Sequence, residues 1–261
     1  MGNRALSKKK QNNFSYGCYR VIRWLVWLFY PKMKVTGTEH LPEEACIIVG
    51  NHGQMNGPIC AELYIPKKRA IWCAYQMMKW REVPAYAYQD FWSGKPKYIR
   101  WFYKLLSYVI TPFSVCVFNN AHTIPVYHDQ RLLATFRQSM DALSEGTSVV
   151  IFPECGEGYN HIINRFQEKF IDTARLYCKR SGKTVCFVPM YIAPAQRRIC
   201  FGEPIPFDPD AGIESQRKEI CQYLMEEITR LAEALPVHKV VPYANIPRSQ
   251  YPKNIPEETK R

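Results

Sequence analysis

Cys46-Ile47-Ile48-Val49-Gly50-Asn51-His52-Gly53-Gln54-Met55-Asn56-Gly57-Pro58 reads as a strand that stops abruptly in a polar turn and then enters a helix. Ile47, Ile48 and Val49 are β-branched residues in an unbroken apolar run, the pattern of a strand buried on both faces. Glycine and asparagine end the run, and residues 56–65 take up a helical pattern. The same order recurs along the chain. Strands are predicted over 46–49, 71–75, 124–127, 148–152, 185–192 and 198–201, and helices over 56–65, 97–110, 129–145, 160–180 and 213–235. Alternating strands and helices imply an α/β fold with a mostly parallel central sheet flanked by helices. Sites in such sheets form where strands end, which directs attention to the turn at 50–58 and to Pro153-Glu154-Cys155-Gly156-Glu157-Gly158 after the strand at 148–152.

The 261 residues suit one large domain, 14–235, with a basic tail over 1–13, a membrane-proximal helix over 14–30 and a Pro-rich tail over 236–261 that is extended on the domain or partly disordered. Thirty-five Lys and Arg against 23 Asp and Glu give a net charge of +12, which favours anionic partners. Basic residues interleave with Trp24, Trp27, Phe29, Tyr30, Trp101, Phe102 and Tyr103, a mixture suited to a lipid headgroup interface. No nucleic-acid motif accompanies it. The apolar stretches at 21–30 and 105–118 fall short of the roughly 18 residues of a spanning helix, and Arg23 and Pro112 interrupt them. Peripheral or partly embedded attachment at the cytoplasmic face of a membrane is therefore expected. The start, Met1-Gly2, lacks the pattern of a cleaved leader, and Ser7 falls one place late for a myristoylation signal. Ten scattered cysteines without paired metal-type spacing suit a reducing compartment and no metal site.

Six short motifs stand in a fixed order: Val35-Thr36-Gly37 with Leu41-Pro42, then Gly50-Asn51-His52, Ile124-Pro125-Val126-Tyr127, Phe152-Pro153-Glu154, Val188-Pro189-Met190 and Phe201-Gly202-Glu203-Pro204. Over roughly residues 15–235 this series resembles the glycerolipid acyltransferase family, which includes lysophosphatidate and glycerol-phosphate acyltransferases. The resemblance implies transfer of a fatty acyl group from a thioester, either acyl-CoA or acyl carrier protein, to a membrane lipid acceptor. No bound cofactor is implied. His52 matches the family's general base: an imidazole titrating near 6.5 can remove the proton of a hydroxyl as it attacks.

The chain departs from the family at three places. The aspartate five residues after the histidine is replaced by Gly57, so Asn56, about 100° away around a helix, becomes the nearest candidate to orient the ring. The arginines of the second and third motifs are replaced by His128 and Glu157. Asn51, His128, Glu154, Gly156 and Glu157 are the expected acceptor-side residues. Without the arginine forks that recognise phosphate, the implied acceptor is a lysolipid lacking a phosphate monoester. An inactive homologue that binds lipid or acyl groups is the alternative. Cys155 reads as a small side chain in a glycine position.

Overall fold

The computed structural model describes residues 13–94 and 96–255. In chain order the helices and strands begin with α1 (Asn13–Phe29), β1 (Lys34–Thr36), β2 (Ile47–Gly50), α2 (Asn56–Tyr64), β3 (Arg69–Ala74), α3 (Val83–Ala87), α4 (Arg100–Asn120) and β4 (Thr123–Val126). They continue with α5 (Leu132–Ser144), β5 (Ser148–Ile151), β6 (Glu154–Gly158), β7 (Asn164–Phe166), α6 (Asp172–Ser181), β8 (Cys186–Ala193), β9 (Arg198–Phe201), β10 (Ile205–Pro206) and α7 (Ile213–Glu233). The chain forms two compact units. One comprises Pro31–Trp72 and Val126–Arg261, the other Met1–Tyr30 and Cys73–Pro125. The basic run Lys8-Lys9-Lys10 and Lys95 lie outside the described residues.

The larger unit is built on a mixed, mostly parallel sheet whose path runs β1-β9-β8-β2-β5-β3, with β10 also paired to β8. β2 lies between β8 and β5 and is parallel to both, with Ile48 opposite Val188 on one side and Val150 on the other. Ile47, Ile48 and Val49 are fully buried, as the unbroken apolar run required. β9 and β10 run antiparallel to β8, at opposite ends of that long strand. α2, α5 and α7 pack on the sheet. Because β2 and β5 are parallel and in register, the turns that follow them lie side by side. That adjacency positions the site.

The expected helix over 160–180 is shorter than its periodicity suggested. α6 covers only Asp172–Ser181, and β6 and β7 form an antiparallel hairpin before it. Asn160 is the reason: its side-chain oxygen accepts the Ile162 and Ile163 N–H groups at 2.8 and 3.0 Å, an arrangement that competes with a helical turn.

In the smaller unit α4 extends ten residues beyond the expected boundary at 110 and passes through Pro112. A proline removes one ladder bond without cancelling the apolar run on both sides of it. The segment Lys97–Asn120 is thereby long and apolar enough, by length and composition, to cross a membrane, and little of it is buried. Its polarity is inverted. Ser107, Thr111 and Ser114 face inward, whereas Trp101, Phe102, Leu105, Tyr108, Val109 and Phe113 are exposed. The inward hydroxyls are satisfied, Thr111 by the Ser107 carbonyl at 2.9 Å and Ser114 by the Met77 carbonyl at 2.9 Å. α1 packs against α4 through the Asn120 amide, which donates to the Ser15 hydroxyl at 2.8 Å, and it exposes Trp24, Leu25, Trp27, Leu28 and Phe29.

Candidate active site around His52

His52 stands two residues beyond β2, in a turn that requires an unusual backbone. Gly53 and Gln54 both have positive φ, 48° and 57°. The glycine adopts this freely, but the glutamine incurs a strain of about 1 kcal/mol. The Asn56 and Gly57 N–H groups donate to the Gly53 and His52 carbonyls at 3.1 and 2.9 Å, which closes the turn and starts α2.

Glu154, the first residue of β6, connects this turn to its neighbour. It is buried, at 3% exposure, and one carboxylate oxygen accepts the His52 backbone N–H at 2.6 Å. The other accepts the Asn164 backbone N–H at 2.8 Å, which ties down the β6–β7 hairpin. Burial pushes this carboxyl up from its ordinary range, and the two N–H groups oppose the rise. Glu154 thus holds the main chain that carries His52 and contributes no oxygen to the imidazole through these bonds.

The other sequence-predicted residues occupy distinct places. Asn51 is buried, and its side chain pairs with the Ile192 main chain, donating to the carbonyl at 3.1 Å and accepting the N–H at 2.7 Å. It extends the β2–β8 ladder past the end of β2. The Asn56 amide donates to the Gly53 carbonyl at 2.9 Å, within its own turn. His128 is exposed just past β4. Gly156 lies on the β6–β7 hairpin with open space about its Cα. On the same hairpin the Glu157 side chain is 82% exposed and faces Arg165 at 3.9 Å. His52 and Glu154 are therefore joined at one point, Asn51 and Asn56 brace the turn, and Gly156 and Glu157 lie along the hairpin leading away from it.

Gly57 fills the space that an aspartate would need. A Cβ there would lie 2.5 Å from the His52 carbonyl oxygen and 2.9 Å from the Phe152 ring. The turn has closed around the glycine.

Aromatic rings surround the imidazole instead. Phe152 meets it edge-on at a centroid distance of 5.6 Å and an interplanar angle of 76°, and Tyr243 does so at 5.8 Å and 84°. Nδ1 is enclosed and makes no hydrogen bond of normal geometry among the described residues. Burial accordingly lowers the ring's pKa to about 4, offset only in part by the Gln54 backbone. Tyr243 belongs to the Pro-rich tail, for which the sequence carries no functional signal. Phe152 lies inside a quoted motif, yet its contact with His52 depends on the β2–β5 register and could not be read from spacing.

A pH effect on stability follows. Since the folded pKa lies below the ordinary value of about 6.5, the unfolded chain takes up this proton first as the pH falls. The contribution is whole above pH 6.5, declines between 6.5 and 4, and is constant below, a total of roughly 3 kcal/mol at most for this half-buried ring. Urea unfolding of the protein and of His52→Gln across pH 4–7 should show a smaller acid loss in the variant. Parallel curves would contradict the buried neutral ring.

Among the described residues no cluster of His, Cys, Asp and Glu could hold a metal ion. Neither a protein-family model nor a curated protein matches the chain. Among solved structures it is similar to the 1-acyl-sn-glycerophosphate (LPA) acyltransferase PlsC from Thermotoga maritima. The identity is 13%, the match covers 84% of this chain and 79% of that one, and the TM-score is 0.44.

Proposed function

We propose that the protein transfers a fatty acyl group from a thioester to a hydroxyl of a membrane lipid, with His52 as general base. One observation carries the reading: the two motif turns that the sequence resemblance marks as catalytic meet through the 2.6 Å bond from the His52 N–H to Glu154. In the proposed reaction the imidazole takes the proton of the acceptor hydroxyl while the oxygen attacks the thioester carbonyl. The new C–O bond forms, the C–S bond breaks, and the imidazolium returns its proton to the departing thiolate. Acyl-CoA and acyl carrier protein are the candidate donors, and the net charge of +12 suits either acidic molecule.

The acceptor is a lysolipid without a phosphate monoester. Exposed His128 and Glu157 occupy the two arginine places of the family's motifs, and the guanidinium on that hairpin, Arg165, already faces Glu157. Acyl transfer to a panel of lysolipids tests this reading, and a preference for lysophosphatidate over zwitterionic lysolipids would count against it.

The protein works at the cytoplasmic face of a membrane, peripheral or partly embedded. Support comes from the inverted polarity of α4 and from the exposed face of α1, where Phe29 is 80% and Trp24 55% exposed, beside Arg20 and Arg23. Replacing Trp24 and Trp101 together by serine should weaken sedimentation with anionic vesicles roughly tenfold or more, since each buried ring is worth about 1.5–3 kcal/mol. Undiminished binding would remove these helices from the interface.

A second reading is an inactive homologue that binds lipid or acyl groups. It is favoured by the filled space at Gly57 and by an imidazole whose Nδ1 faces no carboxylate among the described residues.

A further inference from the structure

The C-terminal segment is a built part of the site. Beyond α7, residues 236–255 fold into a hairpin in which the Val240 N–H donates to the Pro252 carbonyl at 2.9 Å and the Asn254 N–H to the His238 carbonyl at 3.1 Å. Its base is fixed by Asn254, which is fully buried. That side chain accepts the His238 N–H at 2.8 Å and donates to the Ala232 and Leu235 carbonyls at the end of α7, at 2.9 and 3.1 Å. His238 is locked in turn between the Pro236 carbonyl and the Tyr191 hydroxyl of β8, at 2.8 and 2.9 Å. Both ring nitrogens of His238 are thus engaged and the Asn254 amide serves a helix end, so buried hydrogen bonds attach the hairpin to α7 and β8.

The tip of this hairpin reaches the His52 turn at three points. The strained residue Gln54 donates from its side chain to the Ala244 carbonyl at 3.2 Å and to the Tyr251 hydroxyl at 3.1 Å. Tyr243 lies edge-on to the His52 ring, as Phe152 does. Two nearly perpendicular rings fix an imidazole's plane by sterics and quadrupole alone, which is the task that Gly57 cannot perform. A positive φ at a non-glycine residue persists only where its surroundings impose it, and here the hairpin supplies the clasp.

On the reading that His52 is the general base, we infer that Tyr243 is a positioning residue: with Phe152 it holds the His52 imidazole in its working plane, in place of the carboxylate that Gly57 excludes. The neighbouring carboxylate, Glu154, is engaged with two backbone N–H groups and stays so whatever occupies position 243. The nearby phenol of Tyr251 is engaged with Gln54.

The test uses the full chain, histidine labelled at the ring carbons, with Tyr243→Ala, Tyr243→Leu and Tyr243→Phe. Leucine keeps the apolar volume without a ring, so it serves if the alanine variant does not fold. Titration of the His52 ring by NMR needs no substrate. The expected result is the parent's midpoint and a single set of ring signals in Tyr243→Phe. The midpoint moves up toward 6.5 only in the alanine variant, which opens the site, and ring signals are broadened or doubled by exchange between ring orientations in both the alanine and leucine variants. In the transfer assay these two should lose about 10²-fold in kcat with little change in KM, the cost of a displaced catalytic group, while phenylalanine restores the rate. A folded Tyr243→Leu with the parent's single set of ring signals would overturn the inference. If the ring signals change as expected but no variant and no parent protein transfers acyl groups, Tyr243 still positions the ring and the proposed function is what fails.

Discussion

Gly57→Asp, which restores the family's acidic residue, should lower stability by about 2–4 kcal/mol and leave acyl transfer slower than in the parent. The magnitude is that of overpacking a closed site with the added burden of a carboxylate that has no room to be solvated. A Cβ at position 57 falls 2.5 Å from the His52 carbonyl, which is main chain and cannot swing aside, and 2.9 Å from the Phe152 ring. Relief would require the turn to open, and the turn is held by the Gly57 N–H to that same carbonyl and by Glu154 on the His52 N–H. Chemical denaturation combined with the transfer assay would decide the matter. A variant as stable as the parent and faster would mean that the turn opens readily and that His52 lacks only its carboxylate.

Glu154→Ala should have the larger structural consequence. Removing the side chain leaves the His52 and Asn164 N–H groups without their acceptor in a buried site, at about 1–3 kcal/mol each. The expected loss is about 3–5 kcal/mol, or a melting temperature lower by roughly 10 °C for a chain of this size. Transfer should fall with it, because the backbone carrying His52 is no longer fixed against β6. Glu154→Gln is the informative companion. Its amide oxygen can serve one N–H but its nitrogen presents a donor to the other, so about half the loss should remain. If Glu154→Ala melts with the parent, the 2.6 Å bond is not what joins the two turns.

The central strands were legible because an unbroken β-branched run such as Ile47-Ile48-Val49 has few uses outside a sheet buried on both faces. His52 and Glu154 were legible as candidates because both stand where such a run ends. What joins them was not. A backbone N–H is the same in every residue, so no spacing marks the bond from His52 to Glu154, and only the parallel register of β2 and β5 brings them within 2.6 Å. The short strands β6 and β7 were hidden by glycines and by the Asn160 turn, which breaks a periodicity that otherwise reads as helix. The attachment of the tail beyond residue 235 was hidden for a different reason. The tail's prolines suppress regular structure without preventing order, and its attachment runs through buried polar side chains, Asn254 and His238, of types common in loops.

The same contrast explains α4. Exposed aromatic and aliphatic residues were visible in the sequence, but Pro112 suggested a break. The inward hydroxyls of Thr111 and Ser114, each satisfied by a carbonyl, show instead a helix with its polar side packed and its apolar side free. An exposed apolar face of this extent marks an interaction surface, and a lipid surface is the partner proposed for it.

His52 as the base of a lipid acyl transfer is the central proposal. Its most direct measurement is single-turnover transfer from a radiolabelled acyl thioester to zwitterionic lysolipids in vesicles, comparing the protein with His52→Ala. The predicted result is product formation by the parent and a loss of about 10³-fold in the variant, within the span that a positioned general base supplies. Equal rates in the two proteins, or no product from the parent with any lysolipid and either class of donor, would contradict it.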